Sequence, residues 1–168
     1  MKKGLLFLIT LIVSTPAFAS SQKLLGTFGD WKAYSYTENK NKVCYMASIP
    51  TRSEGKYTKR GFISLLITHR PADKTFDTIS LTTGYTYKKG SQATVKIDDN
   101  KPVSLFTHED TAWAEDAKTD SALVKKMRSG NKAVFKGVSS RGTATTDTFS
   151  LKGFTKAYQA IGKACGKK

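Results

Sequence analysis

Between Trp31 and Leu151 the chain is written in short runs of strand-forming residues, each cut off by turn chemistry. Residues 31–37 and 43–49 are rich in aromatic and β-favouring side chains, and the polar stretch 38–42 between them reads as a hairpin turn. Residues 62–68 are nearly continuously apolar, as a strand buried on both faces requires, and His69-Arg70-Pro71 ends the run because proline cannot donate to a sheet ladder. Residues 77–83 alternate, with Ile79 and Leu81 on one face; 93–97 alternate with Val95 and Ile97 inward. After a turn at 98–101, residues 103–107 place Val103 with Leu105. Residues 132–139 place Ala133 with Phe135, and 147–151 form the last run. About eight short strands separated by turn signals predict a mainly β chain, a sandwich or a barrel.

Two stretches carry helical spacing instead. Thr119-Asp120-Ser121 offers N-cap side chains, Leu123 and Met127 lie at i, i+4, Arg128 falls in the last turn and Gly130 stops it, which predicts a short helix near 120–128. Phe154, Tyr158, Ile161 and Cys165 recur at steps of four, three and four, a single stripe on a helix near 154–165. Cys165 thus faces the core. Its only possible partner is Cys44, the other cysteine, 121 positions away. That spacing is unlike the Cys-x-x-Cys of redox centres, so in an oxidising compartment the pair reads as a structural disulfide that staples the helix to the second strand. A bridge closing so long a loop stabilises by up to about 5 kcal/mol in the chain-entropy account.

The N-terminus says which compartment applies. Met1-Lys2-Lys3 precedes an apolar stretch over 4–13 broken only by Thr10, and Ala17-Phe18-Ala19 supplies small residues where an export peptidase cuts. Cleavage is expected between Ala19 and Ser20, releasing one domain over 20–168 as a periplasmic, secreted or envelope-associated protein. The apolar run is too short for a bilayer, which needs about 20 such residues. No cysteine follows the cleavage point, so a lipoprotein anchor is not expected. Without Lys2 and Lys3 the 28 basic residues become 26, against 13 acidic ones, a net charge of +13. Such a field attracts polyanions. Outside the cytoplasm these are anionic lipid head groups, lipopolysaccharide, acidic glycans and host surfaces rather than nucleic acid. Scattered lysines that keep an envelope protein soluble are the plainer alternative.

Catalytic motifs do not emerge. His69 and His108 are the only histidines, and neither has a second ligand at metal spacing, so no metal or other cofactor is expected. Neither a nucleophile elbow nor a glycine-rich phosphate loop occurs, and Ser139-Ser140-Arg141-Gly142 reads as a β-turn. Glu109, Asp110, Glu115 and Asp116 crowd one region as a solvated acidic patch. The expectation is a non-enzymatic protein, with an unmotifed hydrolase as the alternative. Contact residues are sought instead in the basic loop 51–60, with Arg52, Lys56, Tyr57, Lys59 and Arg60, and in the turn bearing Tyr85, Tyr87, Lys88 and Lys89. Tyrosine pairs an apolar ring with a polar tip, which suits such surfaces. Tyr34, Tyr45 and Tyr158 read as ordinary half-buried residues.

Several phrases resemble the invasion-associated locus B family of exported bacterial proteins. They include Phe28-Gly29-Asp30-Trp31, Val43-Cys44-Tyr45-Met46, the segment from Thr68 to Lys74, Gly84-Tyr85, Asp110-Thr111-Ala112-Trp113 and Met127-Arg128-Ser129-Gly130. Ser139-Ser140-Arg141-Gly142-Thr143, the run from Thr146 to Phe154 and Ala164-Cys165 follow in order. The resemblance implies an immunoglobulin-like β-sandwich in the periplasm or envelope. It also implies a family linked through one pathogenic member to host-cell invasion. A further cysteine pair of that family, near the region matching 106–114, is absent here. Together these readings predict an envelope protein that binds an envelope or host-surface polyanion, or a protein partner. A periplasmic chaperone or assembly factor that receives another chain at an open sheet edge is the second reading.

Overall fold

The structure, a computed structural model, describes residues 22–167; the expected leader and its cleavage point lie outside the described residues. Its elements are β1 Lys23–Phe28, β2 Trp31–Glu38, β3 Asn41–Ser48, β4 Arg52–Gly55, β5 Ser64–Arg70, β6 Thr75–Thr82, β7 Ala93–Ile97, β8 Val103–His108, β9 Thr111–Trp113, α1 Ala117–Ser129, β10 Lys132–Val138, β11 Ala144–Ser150 and α2 Phe154–Cys165. A 3₁₀ turn at Pro71–Asp73 links β5 to β6. All eleven strands join in one antiparallel order, β1-β2-β3-β5-β6-β9-β8-β7-β10-β11-β4.

The expected sandwich of about eight strands is therefore corrected to one open sheet of eleven. β8 is the reason. Its first half, Val103–Leu105, pairs with β7, and its second half, Phe106–His108, pairs with β9. One strand thus stitches together what the sequence pattern separates into two sheets. The sheet nevertheless curls over a shared core. Met46, Ile67 and Ile79 belong to the same buried cluster as Val95, Phe135 and Phe149. The indole N–H of Trp31 on β2 donates to the carbonyl of Ser150 on β11 at 2.9 Å. The Asp30 amide donates to the Lys152 carbonyl at 3.0 Å.

The three strands that periodicity misses lack an alternating apolar signal. β1 carries Gly26 and a register shift, β4 is the polar Arg-Ser-Glu-Gly at a sheet edge, and β9 has three residues. The β2–β3 hairpin turns through Asn39 and Lys40, both at positive φ (49° and 67°), in the primed-turn geometry that matches strand twist. β5 is not covered on both faces. Leu65 and Ile67 are fully buried, Leu66 between them is half-buried, and Phe62 lies outside the strand with 72 % of its surface exposed. Antiparallel sheets tolerate such one-sided covering.

α1 begins at Ala117, three residues before the expected start near 120. Asp116 is the N-cap, its side chain accepting the Thr119 amide at 2.7 Å. Asp120 instead turns into the protein and accepts the Ile79 amide at 2.9 Å. β9 pairs with β6 only at Ser80–Thr82, so the helix supplies an acceptor where that strand stops. α2 has the predicted bounds and buries Phe154, Ala157, Ile161 and Cys165. Its Phe154 ring meets the Trp31 ring edge-on at 4.9 Å. The Cys44–Cys165 disulfide, Cα atoms 6.0 Å apart, fixes the far end of the helix to β3. Burying side chains the size of Phe154 and Ile161 stabilises by about 1.5–3 kcal/mol each.

Candidate functional site

The loop between β4 and β5 and the turn between β6 and β7 are unrelated in sequence, yet the fold presses them together. The Gly61 amide donates to the Gly84 carbonyl at 2.9 Å. Gly84 has φ +69°, and a Cβ there would sit 2.5 Å from the Gly61 carbonyl carbon, so no larger residue fits this approach. The β10–β11 turn closes the third side. Ser140 donates its amide to the Thr86 carbonyl at 2.7 Å, Lys88 donates to the Val138 carbonyl at 2.9 Å, and Tyr87 bridges to Ser139. Gly137 leaves room beneath: a Cβ there would meet the Tyr87 ring at 2.6 Å.

The result is a cleft of about 600 Å³ between three loops. Lys56, Lys59 and Arg141 are exposed on it, with the hydroxyls of Thr58, Thr86, Ser140 and Thr143 between them. No Asp or Glu lines it, and among the described residues none of these three cations is in an ion pair. Arg60 belongs to the floor. Its side chain is 5 % exposed and makes two hydrogen bonds to the Asp147 carboxylate, at 2.8 and 2.5 Å, while its Nε donates to the Thr83 carbonyl at 2.7 Å. Burial works against the guanidinium charge, but the bonds to Asp147 outweigh it and raise the pKa above its ordinary value. The rings of Tyr85 and Tyr57 lie 4.9 and 5.4 Å from this guanidinium. The Tyr85 hydroxyl pairs with Thr145 at 2.7 Å. Burial raises the Tyr85 and Tyr87 pKa values, so both phenols stay neutral.

Of the contact residues expected from sequence, Lys56, Tyr57, Lys59, Arg60 and Tyr85 come together in this cleft. Arg60 and Tyr87 are buried and hold it rather than face outward. Lys88 and Lys89 are exposed beside it, and Arg52 lies on β4, paired with Glu54 at 2.8 Å. Arg141 was hidden in what reads locally as a β-turn. Its lysine-like role needs the turn to be next to Thr86, which no spacing announces.

A second cluster is buried under α2. The Asp77 carboxylate accepts from Tyr158 at 2.7 Å, from Ser121 at 3.1 Å and from Lys167. Burial opposes its charge, but Lys167 and Tyr158 prevail and lower its pKa. The Asp77 amide donates to Nδ1 of fully buried His69 at 3.1 Å, and burial lowers the pKa of that imidazole. Ser121 bonds to Asp77 and not to His69, so the group does not align as a nucleophile and base. The cluster ties α1 and the C-terminus to β6. Among the described residues no group of three or more His, Cys, Asp or Glu is placed to hold a metal.

A search of curated proteins and one of solved structures return no match. A scan of protein families matches residues 31–162 to the family described as "Invasion associated locus B (IalB) protein". That span includes β2 through most of α2 and all three loops of the cleft. The chain belongs to the invasion-associated locus B family.

Proposed function

We propose that the protein is an exported, non-enzymatic component of the cell envelope that captures anionic groups in the three-loop cleft. The observation that carries this is the convergence of Lys56, Lys59 and Arg141 on one hydroxyl-lined concavity without a carboxylate. Three cations that share a concave wall reinforce one another's field, and hydroxyls supply hydrogen bonds to phosphate, sulfate or carboxylate oxygens. Binding is favoured over catalysis because no carboxylate, imidazole or thiol lines the cleft to act as a base. The buried Arg60–Asp147 pair holds the floor in place without neutralising the cations above it.

The strand-addition reading has less support. Both open edges carry features that discourage pairing: β4 is four residues long and charged, and β1 is irregular between Leu24 and Gly26. The test of the cleft is affinity for dextran sulfate across a salt series. Native protein should bind and lose affinity steeply as salt rises, and Lys56→Ala/Lys59→Ala/Arg141→Ala should bind at least tenfold more weakly with a shallower salt slope. Equal affinity of the variant, or salt-independent binding, would remove the cleft from consideration.

A further inference from the structure

The segment that forms one wall of the basic cleft has an apolar back. Gly61 lines the cleft, and the next residue, Phe62, lines a separate groove of about 760 Å³ on the outer face of β2, β3 and β5. Tyr34, Tyr45, Ile49, Pro50 and Leu66 line that groove with it. Ile49 and Phe62 are 60 % and 72 % exposed, the two most exposed large apolar residues described. Tyr57, 37 % exposed, stands on the cleft side of the same segment. Large apolar side chains held in water beside a basic cluster mark a contact face.

We propose that groove and cleft act together as one face for an anionic lipid surface, with Ile49 and Phe62 entering the apolar layer while Lys56, Lys59 and Arg141 engage the head groups. The proposal rests on the reading of the cleft as an anion site and names the source of the anions. Charge selects this occupant. An apolar patch with a carboxylate-free cationic flank matches a surface that is anionic outside and hydrocarbon beneath, which is the combination that binds peripheral proteins. Lys32 adds a cation within the groove, and Asp30 is its one acid. No helix among the described residues is long and apolar enough to cross a membrane.

The test uses the protein from Ser20 onward, with phosphatidylcholine vesicles with and without phosphatidylglycerol, and with dextran sulfate as a soluble polyanion. Native protein should sediment with the phosphatidylglycerol vesicles only. Ile49→Ser/Phe62→Ser should lower vesicle partitioning about tenfold or more while leaving dextran sulfate affinity unchanged. Lys56→Ala/Lys59→Ala/Arg141→Ala should lower both, by about fivefold per charge for vesicles. Vesicle binding that is absent, or unchanged in the Ile49/Phe62 variant, overturns the lipid proposal; retained dextran sulfate binding then leaves the cleft reading standing. Loss of native binding to dextran sulfate overturns the cleft reading itself. Ile49 and Phe62 are exposed, so an unaltered melting temperature checks that folding is intact.

Discussion

The guanidinium of Arg60 grips the carboxylate of Asp147 through two hydrogen bonds, 2.8 and 2.5 Å long, across 87 positions of sequence and out of reach of water. Asp147 sits in the middle of β11, opposite Phe135 on β10 and Ser53 on β4. The pair therefore fastens the β4–β5 loop to the sheet at the point where the basic cleft opens above it.

Removing the acid alone strands a buried cation. Asp147→Ala should cost about 3–5 kcal/mol in urea unfolding, whereas Arg60→Met/Asp147→Leu should recover much of the loss because neither charge remains to be desolvated. A single variant as stable as the native protein would show that the guanidinium escapes to solvent.

The disulfide predicts a second loss. Cys44→Ala/Cys165→Ala should unfold at lower urea concentration, by about 2–5 kcal/mol, since the bond closes a loop of 121 positions and ties α2 to β3. Limited proteolysis should find the first new cleavage in α2. Cleavage beginning in β10 or β11 instead would assign the staple a different territory.

Acid behaviour separates Asp120 from its neighbours. Burial first, then the nearby Asp77 and Asp116, pushes its pKa up to about 6, although the bond from the Ile79 amide opposes this. Between about pH 4 and pH 6 the native protein holds a proton that the unfolded chain has released, so this group's contribution to stability falls as pH rises through that window. Asp120→Asn keeps an oxygen for the Ile79 amide and does not titrate. Relative to native protein, it should gain about 2–3 kcal/mol between pH 4 and pH 7. His69 and Asp77, whose pKa values are lowered, act in the opposite sense; His69 is common to both proteins, and Asp77, held below the ordinary carboxylate range, stays charged across the window. A difference that stays constant with pH would place the Asp120 titration outside this range.

Local periodicity carried the reading where the signal was local. The stripe Phe154–Tyr158–Ile161–Cys165 gives the bounds of α2, and with a second cysteine on β3 it gives the disulfide partner. β7 has the expected ends because Val95 and Ile97 alternate with lysine and threonine. Elsewhere the deciding contact is distant. Arg60 reads as a surface cation until Asp147 arrives from β11, and Asp120 reads as a cap until β6 offers an unpaired amide. β8 looks like a strand of one sheet, and only its partners show that it serves both halves. The basic loop and Tyr85 were legible as candidates. Their junction, made by Gly61 against Gly84, was not, because a glycine says that something comes close without saying what.

The bond between Cys44 and Cys165 also imposes an order of events. A polypeptide is made from its N-terminus, so the thiol on β3 exists well before its partner on α2, the last helix described. The bond can close only once the segment carrying every loop of the cleft has been delivered. A chain cut short before α2 lacks Cys165 and leaves the β3 thiol without this partner, so a Cys44–Cys165 bond, as distinct from any other oxidation of Cys44, shows that synthesis has reached α2.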